Sequence, residues 1–99
     1  MTIKEYVLSF IEQINKKEKE SLYKFFTRKT VIVFLDNMNE VSVPDFVNYI
    51  EENFFPKNVS IKRVLDSKVC VKIELEVDGK EIAFLIEVKE RRIRRLEVM

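Results

Sequence analysis

The chain has 99 residues, 46% of them hydrophobic and 35% charged, with a net charge of +1; this is enough for one compact domain over residues 1–99, yet small enough that a second subunit is a common source of further burial. There is no histidine, one cysteine and one glycine, which removes the usual zinc, haem and Cys/His nucleophile sets and the multi-glycine loops that bring backbone against phosphate. No metal and no cofactor are expected, no apolar run reaches the ~18 residues of a membrane helix or follows a basic start as a signal peptide does, and the lone Cys70 points to the cytoplasm.

Thr2 and Glu5 have the spacing of a capping box, and behind them Ile3, Val7, Phe10 and Ile14 recur at helical intervals. A first helix with one buried face follows from that stripe. The polar stretch 15–19 interrupts it, after which Leu22, Phe25 and Phe26 resume a helical spacing for a second, shorter helix. From Thr30 to Leu35 the residues turn to Val, Ile and Phe without helical gaps, which predicts a strand buried on both faces. Asp36, Asn37 and Asn39 supply a turn, and a short return strand over residues 40–42 leads to Ser42 as a helix cap, with Pro44 and Asp45 in the first turn. Val47, Ile50 and Phe54 give the third helix its apolar side, and Pro56 stops it.

The remainder predicts four strands, at 59–65, 69–77, 81–89 and 93–98. In the second, Val69, Val71, Ile73, Leu75 and Val77 alternate with Cys70, Lys72, Glu74 and Glu76, and Asp78-Gly79 is a two-residue hairpin signal. Residues 89–97 hold five basic and two acidic side chains, so the excess positive charge of the chain is local. Within them Ile93, Leu96 and Val98 can all face the core only if a bulge shifts the alternation, leaving Arg92 and Arg94 outward. A solvated basic hairpin face is expected there, with no nucleic-acid partner, because nucleic-acid surfaces add more charge and exposed aromatics.

Helix, helix, strand pair, helix and a closing meander is an order that resembles the nuclear transport factor 2-like superfamily, including its SnoaL-like and ketosteroid isomerase-like members. VLSFIEQINKKEKESLYKFF looks like its first two helices, TVIVFL and VSVPDFVNYIEENFFP like its first strand and the helix across the sheet, and FLIEVKERRIRRLEVM like its closing hairpin. The resemblance implies an α+β fold, a cone-shaped roll of three helices from the N-terminal half packed on a strongly bent, mostly antiparallel sheet, and a homodimer through the outer sheet face; because the strands after Val59 outnumber the helices available to cover them, residues such as Ala83 and Leu85 are expected in that contact. One departure stands out: Glu90 and Arg91 occupy the last hairpin turn, where relatives often carry Asp-Gly.

Ketosteroid isomerase works with an Asp base opposed by a Tyr and a protonated Asp. By resemblance, Phe10 falls where that Tyr would be, Phe34 near the base and Phe84 near the second Asp. A phenyl ring neither moves a proton nor donates to an oxyanion. The expected function is therefore a noncatalytic binder of a small apolar ligand, lined by Tyr6, Phe10, Phe26, Phe34, Ile50 and Phe84, or a dimeric interaction module. The alternative is a SnoaL-like isomerase, cyclase or hydrolase with a rearranged site drawn from Tyr6, Tyr23, Asp36 and Glu74.

Overall fold

A computed structural model describes the whole chain, Met1–Met99. Helix α1 (Ile3–Asn15) starts at the expected capping box: the Thr2 hydroxyl accepts from the Glu5 amide, and the Glu5 carboxylate accepts from the Thr2 amide. That backbone amide holds the Glu5 carboxyl below its ordinary pKa, with help from the Thr2 side chain. Val7, Phe10, Ile11 and Ile14 are the buried face. The second helical stretch differs from the continuous helix its spacing predicts. Helix α2 (Lys19–Leu22) runs into a 3-10 turn at Tyr23–Phe25, which tightens the spacing enough to bury Phe25 and Phe26 in sequence.

Strand β1 (Val31–Phe34) pairs with β2 (Asn39–Val41), and Asn37 Oδ1 accepts from the Asn39 amide to close the turn between them. Helix α3 (Val43–Asn53) is capped by Ser42, whose hydroxyl accepts from the Asp45 amide. Its buried face includes Phe46 as well as Val47 and Ile50. Strands β3 (Val59–Asp66), β4 (Cys70–Val77), β5 (Lys80–Lys89) and β6 (Arg92–Val98) form an antiparallel meander. Val69 lies before β4 and is exposed, so the apolar alternation begins at Val71.

All strands join one sheet in the order β2-β1-β6-β5-β4-β3, and only the β1–β6 pair is parallel. Two bulges bend it. Lys62 is the extra residue against β4, and Arg94 the extra residue against β5, since Glu87 pairs with Arg95 while Val88 pairs with Ile93. The second bulge is the shift that Ile93, Leu96 and Val98 demand, and all three are buried. No helix is long and apolar enough to cross a membrane.

The three helices cover one sheet face. Between them and that face lies a single cluster of 21 buried apolar side chains, with no buried charged residue. The α+β roll expected from the order of elements is the observed one.

Candidate functional site

The concave side of the sheet is where a roll of this kind can hold a guest, and aromatic rings occupy it. Phe84, from the middle of β5, has no exposed surface; its ring stacks at 5.7 Å on Phe54 and meets Phe46 edge-on at 6.0 Å. Phe46 continues to Phe26 at 6.1 Å, Phe26 to Phe10 at 5.6 Å, and Phe10 to Phe25 at 5.3 Å. These separations are those of favourable edge-to-face and offset aromatic pairs. Phe34 is half-buried and packs against Tyr49 at 4.8 Å, and Ile50 is fully buried. Of the six side chains expected to line a ligand cavity, Phe10, Phe34, Ile50 and Phe84 border none of the five principal grooves, whereas Phe26 and Tyr6 do.

The four side chains of the alternative catalytic set lie apart. Glu74 is on the opposite, outer face of the sheet. There Arg63 Nε and Nη2 donate to its two oxygens at 3.0 and 3.2 Å, and this contact holds the carboxyl below its ordinary pKa. Asp36 sits exposed in the turn after β1; its charge adds to the effect of burial in raising the Tyr49 pKa. Tyr23 borders a groove of about 940 Å³ with Phe26, Thr30, Ser42, Val43 and Pro44, between the loop after the 3-10 turn and the start of α3. Tyr6, on α1, borders two other grooves beside Arg92. Its hydroxyl is buried and makes no hydrogen bond; burial raises its pKa, and the positive charge of Arg92 works against that rise. A general acid and base must converge on one reacting atom, and no two of these four border a common groove. No group of three or more His, Cys, Asp or Glu side chains is placed to hold a metal ion.

One cluster was not legible in the run of arginines near the end of the chain. A groove of about 530 Å³ is bordered by Thr27, Arg28 and Lys29 on one side and by Lys89, Glu90, Arg92, Ile93 and Arg94 on the other. Thr30 ties the two sides together: its hydroxyl donates to the Ile93 carbonyl at 2.6 Å and accepts from the Thr27 amide at 2.9 Å. Arg95, by contrast, leaves the cluster, donating from Nε and Nη2 to Glu97 on the outer face. Only the parallel pairing of β1 with β6 brings Arg28 and Lys29 to the arginine run, and no local pattern encodes it.

No protein-family model and no curated protein matches the chain. Solved structures do. An NTF2-like protein of unknown function from Cytophaga hutchinsonii superposes with a TM-score of 0.79 at 16% identity, over 100% of this chain and 89% of that one. An uncharacterized cystatin-fold protein from Novosphingobium aromaticivorans gives 0.81 at 12% identity, over 100% and 98%. A protein from Shewanella putrefaciens assigned as a SnoaL-like polyketide cyclase gives 0.75 at 9% identity, over 97% and 77%. Likeness at such low identity speaks for architecture and leaves chemistry open: this chain has the nuclear transport factor 2-like fold.

Proposed function

We propose that the protein is a noncatalytic interaction module that pairs with a second copy of itself through the outer face of its sheet. The observation that carries the reading is the ring-filled concave side, where Phe84 and Phe10 have no exposed surface, combined with acid/base candidates that never meet. A site packed with phenyl rings offers neither a proton path nor oxyanion donors.

The outer face supports the pairing. All helices lie on the other side, and cross-strand register sets Val33, Glu97, Leu85, Lys72 and Leu65 in one row. Ala83 and Met99, joined by reciprocal backbone hydrogen bonds, lie in the next row beside Glu74. The charges on this face are largely matched within it, as Arg63 with Glu74 and Arg95 with Glu97, so a second copy would meet apolar spots set among neutralised pairs. A face of this kind suits a two-fold contact, in which the same patch serves both subunits. The half-buried free thiol of Cys70 suits a reducing compartment, and the proposal places the module in the cytoplasm.

Light scattering from micromolar to millimolar protein tests the pairing. The wild type is expected to be dimeric and Leu85→Asp monomeric with an unchanged far-ultraviolet spectrum; a strictly monomeric wild type refutes it. A second reading, binding of a small apolar ligand, is supported by the groove beside Phe26, where Tyr23, Val41, Val43 and Pro44 contribute apolar surface. Fatty or aromatic compounds would then raise the melting temperature, because a ligand that binds only the folded state stabilises it. Turnover of enolisable substrates, lost on mutation of Tyr6, Tyr23, Asp36 or Glu74, would overturn both readings.

A further inference from the structure

Six of the chain's 18 cations pair with carboxylates, and five of the twelve that do not are gathered around one groove. Lys16, Lys19, Lys62, Arg63, Lys72 and Arg95 each have a carboxylate partner. Arg28, Lys29, Lys89, Arg92 and Arg94 have none, and all five are exposed on the walls of the groove at the tip of the β5–β6 hairpin, where Glu90 is the only acid. Like charges gathered without counter-charge raise the local positive potential and cost stability. A ligand that supplies the missing negative charge relieves that cost.

We propose that this groove binds a condensed phosphate, the di- or triphosphate group of a small molecule. Three of the five cations are arginines, whose planar fork matches pairs of phosphate oxygens. A single exposed ion pair contributes little, so a ligand carrying several closely spaced charges is favoured over a monoanion. The walls argue against a nucleic acid strand: Ile93 is the one apolar residue among them, and there is no aromatic face on which a base could stack. The Thr30 hydrogen bonds fix the loop wall against β6 before any ligand arrives, which lowers the ordering cost of binding.

Calorimetric titration with inorganic tripolyphosphate, orthophosphate, ATP and a single-stranded oligonucleotide, at fixed ionic strength, tests the proposal. Tripolyphosphate should bind with a submillimolar Kd at ~0.15 M salt, a concentration at which scattered surface charge is largely screened, and orthophosphate at least tenfold more weakly. ATP should match tripolyphosphate, since the phosphates alone are recognised. The double variant Arg28→Gln/Arg94→Gln should lose about tenfold or more in affinity, from two lost charge-assisted contacts, and Glu90→Gln should gain affinity. Lys57→Gln/Lys80→Gln, which removes two exposed lysines that do not border this groove, should leave the affinity within twofold. Melting curves of each variant check that the fold is kept. Absence of submillimolar tripolyphosphate binding, equal losses in groove and control variants, or an oligonucleotide that binds more tightly than tripolyphosphate would each overturn the assignment.

Discussion

The turn between β5 and β6 carries an avoidable cost. Glu90 and Arg91 both have positive φ, +53° and +61°, in a two-residue loop closed by the Lys89–Arg92 pair. Two-residue hairpins need this conformation because its twist matches the strands, and Asn-Gly or Asp-Gly is the usual solution. The hairpin between β4 and β5 uses that solution, with Asp78 at +48° and Gly79 at +83°. A side chain other than glycine in the left-handed region costs roughly 1 kcal/mol or more per residue. Changing Glu90→Asn and Arg91→Gly should relieve about 2 kcal/mol of that cost. The glycine frees the unfolded chain and returns about 0.4–1 kcal/mol. The net gain is about 1 kcal/mol, or ~4–8 °C in Tm for a domain of this size. Thermal and urea melts read it directly, with an unchanged urea m-value expected because the surface exposed on unfolding is the same. A Tm that stays level or falls, in a variant whose amide spectrum shows the wild-type β5–β6 register, would refute the strain argument.

Phe84→Ala should destabilise by about 3–5 kcal/mol, since it removes a fully buried ring from contact with Phe46 and Phe54; a loss below ~1 kcal/mol would mean the concave side is loosely filled. The Glu74 carboxyl, whose folded-state pKa is depressed by Arg63, contributes stability that is fully present above the unfolded-state value and is lost as pH falls through the folded one. Carbon-detected titration should therefore show Glu74 ionising below a reference glutamate, and Arg63→Gln should move it upward; no movement would detach the shift from its assigned cause. Thr2→Ala should cost about 1 kcal/mol through loss of the α1 capping box, measured by the same melts.

Much of the architecture could be read from periodicity because each signal was local. Val71 to Val77 alternate strictly and are buried on alternate positions as expected, and Thr2 with Glu5 marked the start of α1 three residues apart. The bulge at Arg94 was legible too, since no regular strand can bury Ile93, Leu96 and Val98 together. Phe46 lies outside the Val47, Ile50 and Phe54 stripe that predicts the apolar side of α3, yet the ring cluster draws it fully inward. The 3-10 turn at Tyr23–Phe25 was missed because Leu22, Phe25 and Phe26 fit a helical spacing equally well. The basic groove was only half visible, as Arg91 to Arg95 are contiguous but Arg28 and Lys29 reach them through a long-range strand pairing. Ligand grooves, unlike strands, are built from residues that share no period.

The lone parallel pair also bears on the order of assembly. The β3–β6 meander can form by successive hairpins, each closing a short loop, but β1 has no neighbour other than β2 until β6 is in place. Val31 meets Arg95 from the opposite end of the chain, so the loop closed by that contact encloses nearly two-thirds of the sequence. Such closure is slow relative to hairpin formation. The β1–β2 ribbon, with its flanking helices, should therefore dock late onto a preformed meander, and until it does β6 presents an open edge. In a concentrated solution of folding chains, that edge can accept β1 from a neighbour as readily as from its own chain, which makes exchange of the β1–β2 ribbon between copies the characteristic misassembly for this topology.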